Sequence, residues 1–167
     1  MHPNEQLIHD FYTAFQQLDW QAMAALYTRD ACFSDPVFCD LKGSDIAAMW
    51  HMLCLKAENF ELSFGDIKAD DNEGSARWEA HYTFSPSGGG RARRVHNIIF
   101  AEFQFAEGKI SRHSDHFSFW RWSSMALGPA GRLLGWSGPI KRKVQSQAVV
   151  GLKSFMRKAG YGKSGPG

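Results

Sequence analysis

Hydrophobic residues in this chain change their spacing near Phe60, and the change sets the broad architecture. Over residues 4–18, Leu7, Ile8, Phe11, Phe15 and Leu18 recur three or four positions apart, the stripe of an amphipathic helix. Asp19 can cap a second helix, in which Trp20, Met23, Ala24 and Tyr27 keep the helical period. A break at 32–42 contains Asp35-Pro36. The proline ring pushes its predecessor into an extended conformation, so the Asp35 carboxylate is expected outside any helix. Ser44 then caps a third helix whose apolar face is Ile46, Met49, Trp50 and Leu53. From Phe60 the period is two, which predicts strands over 60–68, 76–85, 93–106 and 109–120. Turn sequences separate them at Asp70–Gly74, Ser85–Gly90 and Glu107-Gly108. Helices followed by a meander of long strands is the α+β order, and it implies a curved antiparallel sheet closed over by three helices.

A chain of 167 residues fits one domain with an appendage. The boundaries expected are a domain over 1–122, an amphipathic helical extension over 123–158 and a disordered tail over 159–167. The extension mixes Leu133, Leu134, Trp136 and Ile140 with Lys141, Arg142 and Lys143, which suits contact with an anionic membrane surface. Packing across the pocket mouth or onto a partner subunit is preferred, because 146–156 holds few large apolar residues. There is no apolar run of transmembrane length and no secretory pattern at the N-terminus, so a cytoplasmic protein is expected. Nineteen Lys and Arg against seventeen Asp and Glu leave a charge of +2, too balanced for nucleic-acid binding through bulk charge. Three cysteines without CxxC spacing argue for reduced thiols rather than a disulfide framework or a zinc site. Among the seven histidines, His113 and His116 point to opposite faces of one strand, and His81 and His96 have no clustered carboxylates at ligand spacing. No metal site is expected, and nothing in the chain signals a cofactor.

The segment LYTRDACFSDPVF, through Leu26, Tyr27, Asp30, Ala31, Asp35, Pro36 and Val37, resembles the SnoaL-like and ketosteroid-isomerase-like branch of the NTF2-like superfamily. FAEGKISRHSDHFSF is similar to that superfamily's final hairpin, and the likeness spans roughly residues 5–120. The resemblance implies a cone-shaped α+β fold with a pocket. It places the isomerase's general base at Asp35, its oxyanion tyrosine at Phe11 with Tyr12 next door, and its protonated aspartic acid at Ala101. Two of three catalytic positions are apolar, so the resemblance does not extend to a ketosteroid isomerase proper. Asp115 resembles the general-acid aspartate of limonene-epoxide-hydrolase-like members, although Ala76–Tyr82 lacks the Arg-x-Asp phrase of that class.

Alternation along the last strand puts His113 and Asp115 on one face, where an aspartate can orient an imidazole. Asp35, His113 and Asp115 are therefore the candidate acid–base groups. Phe11, Tyr12, Phe15, Trp50, Trp78, Tyr82 and Phe117 are candidate walls of an aromatic pocket, with Asn97 and Ala101 facing it from the strand 93–106. The function expected is that of a small-molecule pocket protein. It could be an isomerase, a cyclase or an epoxide-hydrolase-like enzyme moving a proton on an apolar substrate, or a non-catalytic binder of an apolar ligand. The blander alternatives are a satisfied His113–Asp115 pair and an Asp35 that only caps its own turn. Strand 93–106 is apolar on both faces, with Val95, Ile99, Phe103 and Phe105 against Ile98 and Phe100. A sheet-to-sheet homodimer, common in the superfamily, would cover the second face.

Overall fold

The computed structural model describes residues 1–86 and 89–162. Helix α1 runs over Pro3–Gln16 and opens with a capping box: His2 accepts from the Asn4 N–H, and Glu5 accepts from the His2 N–H. Helix α2, Trp20–Ala25, is capped as expected by Asp19, which accepts from the Ala22 N–H at 3.0 Å. Helix α3, Ser44–Lys56, is entered through Gly43 at φ +56°, where an added Cβ would sit 3.2 Å from the Arg29 carbonyl oxygen. Gly43, not Ser44, therefore occupies the cap. Leu53, expected on the apolar face, is 37% exposed, while Ile46, Ala48, Met49, Trp50, Met52 and Cys54 are buried.

Six strands form one curved, unclosed sheet: β1 Tyr27–Ser34, β2 Leu41–Lys42, β3 Glu61–Ala69, β4 Glu73–Phe84, β5 Arg93–Ala106 and β6 Lys109–His116. Their order across the sheet is β2-β1-β6-β5-β4-β3, with β1 parallel to β6 and the other pairs antiparallel. The expected four-stranded meander is present as β3–β6. Strands β1 and β2 are additions: Tyr27 leaves the second helix and begins β1, because pairing with Ile110 of β6 outweighs its helical spacing. The last strand also stops at His116 rather than residue 120, since Ser118 accepts from the Arg121 N–H and starts helix α4, Phe119–Ala126.

The concave face of the sheet and the underside of the helices share one core. Ile8, Phe11, Tyr12 and Phe15 of α1 are all buried against it, each large side chain contributing roughly 1.5–3 kcal/mol on transfer from water. Helices α5, Pro129–Leu134, and α6, Gly138–Ala159, complete the described chain. Helix α6 lies along α3 and the Pro36–Cys39 turn: Gln145 donates to the Pro36 carbonyl oxygen at 3.0 Å, and Leu152 is 3% exposed. Tyr161, expected in a disordered tail, packs on Phe155 and lies with its Oη 3.0 Å from His51 Nδ1. Residues 163–167 of that expected tail, and Ser87-Gly88 at the β4–β5 tip, lie outside the described residues. Trp136 and Leu133 remain 76% and 70% exposed. Among the described residues no helix is long and apolar enough to cross a membrane.

Candidate functional site

Strand β6 turns His113 and Asp115 into the core, both buried, as alternation requires. His113 Nε2 and Asp115 Oδ1 are 3.0 Å apart. The other ring nitrogen, Nδ1, lies 2.7 Å from Tyr27 Oη, and Tyr27 Oη in turn accepts from Trp50 Nε1–H at 3.1 Å. Trp78 Nε1–H donates to Asp115 Oδ1 at 3.4 Å, closing a chain of five side chains from α3, β1, β6 and β4. An indole can only donate, so it fixes the direction of the chain. With Trp50 donating to Tyr27, the Tyr27 hydroxyl proton goes to His113 Nδ1. In that tautomer His113 Nε2–H faces Asp115 Oδ1. Both ring nitrogens of His113 therefore have a partner.

Asp35 sits where the Asp-Pro rule put it, in the turn after β1. Its Oδ1 accepts from the backbone N–H groups of Val37 and Phe38 at 2.7 and 2.6 Å, so it does cap its own turn. Burial pushes its carboxyl up from 3.8 to about 7, opposed by those two hydrogen bonds and reinforced by the nearby charge of Asp115. Tyr82 is held up to about 12 by burial, against the hydrogen bond from Trp122 Nε1–H (2.9 Å) and with Asp35's charge adding. The charge of Asp115 thus reaches Asp35, and that of Asp35 reaches Tyr82.

Tyr12 adds a feature of a different kind. Its hydroxyl is buried and has no hydrogen-bond partner among the described residues. Burial, and then the charges of Asp115 and Tyr27, hold its pKa well above the usual value, so it stays protonated. An unpaired buried hydroxyl costs about 1–3 kcal/mol, which a ligand oxygen would relieve.

The expected wall residues Phe11, Tyr12, Phe15, Trp50, Trp78 and Ala101 are buried around these groups. Phe11 meets Tyr27, Trp50 and His113 edge-on at 5.5–5.8 Å. Asn97 faces inward as well, and Ala101 lies directly opposite Asp115 across β5 and β6. Phe117 falls beyond β6, where it packs against both the main core and the α4 cluster of Val95, Phe119 and Trp122. Tyr27, which bridges His113 and Trp50, is the candidate residue that the sequence did not reveal. It stands in the LYTRDA phrase, but its helical spacing disguised it.

Two hollows, of about 620 and 250 Å³, open on the outer face of the sheet and at its β3–β4 hairpin; the larger is lined in part by Lys68, Glu102 and Arg112. Neither is lined by Asp35, His113 or Asp115, so neither is the greasy pocket expected from sequence. On the outer face His96 points away from the core, as alternation predicts, and its Nε2 is 2.8 Å from Glu79 Oε2. The expectation that His81 and His96 have no neighbouring carboxylate fails here, because the β4–β5 register brings Glu79 to both.

A curved six-stranded sheet roofed by helices, with its polar groups gathered on the concave side, is the cone of the NTF2-like fold. The SnoaL-like domain family model matches residues 8–113, and the chain belongs to that family. It is similar in structure to a protein of Xanthomonas campestris pv. campestris provisionally assigned as a polyketide cyclase, at 20% identity and a TM-score of 0.61, over 72% of this chain and 94% of that one. A Pseudomonas putida KT2440 protein with the same provisional assignment gives 21% and 0.62, over 75% and 98%. An LEH-like epoxide hydrolase of M. tuberculosis gives 18% and 0.61, over 81% and 97%. Identities this low speak for the fold alone. No curated protein matches the sequence.

Proposed function

We propose that this protein is a small-molecule acid–base enzyme of the SnoaL-like type, moving a proton on an apolar substrate held beneath the helices. The reading is supported by the buried His113–Asp115 pair, by a Tyr12 hydroxyl with no partner among the described residues, and by an Asp35 whose carboxyl burial raises to about 7. Asp35, titrating near neutrality, is suited to take and return a proton. Tyr12 Oη–H is free to steady a developing negative charge on a substrate oxygen. The Ala101–Asp115 register adds support: the carboxyl that the isomerase-like pattern would hold at 101 is supplied from the opposite strand. The assignments of similar structures, polyketide cyclase and epoxide hydrolase, fit substrates that are largely apolar with one polarisable oxygen, and we propose that class here. A substrate would enter by the Asp35 turn, where α4 and α6 border the interior.

The second reading, non-catalytic binding of an apolar ligand, is favoured by the closed hydrogen-bond chain from Trp50 to Trp78, which by itself makes a satisfied polar core. One experiment separates the two. The protein is incubated with panels of epoxides, enones and polyketide-like compounds, and both turnover and melting temperature are followed. Catalysis predicts a converted compound and a loss of roughly 100-fold or more in rate for Asp35→Asn. A compound that raises the melting temperature and is recovered unchanged, with no compound converted, selects binding.

We also propose that two copies pair through the outer face of the sheet. Phe100 is 48% exposed there, beside Ile98 on the same strand face, in support of that pairing.

A further inference from the structure

We propose that Glu79, His81 and His96 form a binding site for a divalent transition-metal ion of the zinc class, on the outer face of the sheet. Glu79 and His81 are two positions apart on β4 and so share a face, and His96 of β5 stands directly across from His81. Side chains so opposed have Cβ atoms about 4.5–5.5 Å apart, close enough for two imidazoles to reach one ion. The ligand atoms of all three residues lie within 4.8 Å of one another. The two rings are stacked at 4.0 Å and 13°, and Glu79 Oε2 is already 2.8 Å from His96 Nε2. Ligand bonds of about 2 Å at a tetrahedral ion put neighbouring donor atoms roughly 3.3 Å apart, so the two imidazoles turn out of their stack to aim their in-plane lone pairs at one ion. His81 is half-buried and its ring stacks on that of His96.

The charges around the site decide whether a cation is welcome. Arg77 Nη2 binds Glu79 Oε1 at 2.6 Å and leaves Oε2 for the ion. On binding, the metal replaces the proton that His96 shares with Oε2, and Arg77 stays behind the carboxylate as an orienting partner. Glu61 of β3 pairs with His81 from the other side and is exposed, offsetting the arginine charge. Two imidazoles and a carboxylate are a borderline donor set suited to Zn²⁺, Co²⁺, Ni²⁺ or Cu²⁺ rather than Mg²⁺ or Ca²⁺. Three protein ligands leave at least one position open to water. Ala80, between the two β4 ligands, and Asn97, next to His96, point to the concave side, so the ion would sit across the sheet from Asp35 and independent of it.

The test uses the full chain, stripped of metal with a chelator. Titration with Zn²⁺ by calorimetry should show one ion per chain with micromolar affinity and a rise in melting temperature. Co²⁺ should develop visible absorption bands of a nitrogen- and oxygen-ligated ion. His81→Asn and His96→Asn should each weaken binding by about ten-fold or more, and Glu79→Gln should do so while keeping the hydrogen bonds that support the strand pair. His116→Asn, on the same face beside Glu102, should leave binding unchanged. Far-ultraviolet circular dichroism of each metal-free variant confirms that it is folded. Binding no tighter than millimolar, or an affinity unaltered in Glu79→Gln and in both histidine variants, overturns the site.

Discussion

Tyr27 joins the two halves of the buried hydrogen-bond chain, accepting from Trp50 and donating to His113. In Tyr27→Phe the ring packing survives, but a buried indole N–H and a ring nitrogen lose their partner. The expected cost is about 1–3 kcal/mol of unfolding free energy, measured in urea; no change would show that water or a neighbour takes over. Asp35 makes a prediction of opposite sign. Its folded pKa, about 7, is raised above the ordinary 3.8, so the folded state holds the proton more tightly. The stability this contributes is fully present below about pH 4 and is lost as pH rises through 7. Asp35→Asn keeps the acceptor for Val37 and Phe38 and removes the titration. Its melting temperature should exceed that of the unmodified protein at pH 8, with the gap narrowing below pH 7 and closing only near pH 4; a pH-independent gap would contradict the shift. Asp35, His113 and Asp115 were legible in sequence because a proline's steric effect and strand alternation are local rules. Tyr27 was not, because the partner that fixes its conformation lies 86 residues away.

At the level of elements, sequence periodicity recovered α1, α2, α3 and the four strands of the meander, since each carries its own repeat. It failed on β1 and β2, which are short and hold their place only through pairing with β6 and with each other. It also ran β6 four residues too far, because FSFWRW alternates like a strand while Ser118 caps a helix. The Glu79–His81–His96 grouping was invisible for a related reason: spacing along one strand does not reveal which residue faces it across a hairpin. The extension shows how weak amphipathic signals are read. Helix α6 buries Leu152 against α3 and the main core, although its composition is that of a surface helix. Leu152→Ala should therefore cost about 2–5 kcal/mol in chemical denaturation, as for a core leucine. A cost within 0.5 kcal/mol, roughly that of a surface substitution, would mean the helix is loosely held.

For the molecule as a whole, the outer sheet face sorts its residues along β5. His96 stands among charged partners, Ile98 and Phe100 are apolar, and Glu102 pairs with His116 at 2.7 Å. Pairing of two such faces would cover the apolar centre and leave polar rims, the usual anatomy of an interface. Sedimentation at micromolar concentration should report twice 18.8 kDa, and Phe100→Glu should shift the protein to a single chain. A mass of 18.8 kDa for the unaltered protein would refute the pairing.

The parallel contact between β1 and β6 has a consequence for biogenesis. The contact from Tyr27 to His113, which ties β1 to β6, spans 86 residues of chain. A nascent chain emerging from the ribosome thus presents its aromatic N-terminal third long before the strand that shelters it has been translated. Closing so long a loop is entropically slow, and that interval is when a trigger-type holdase would matter most to yield.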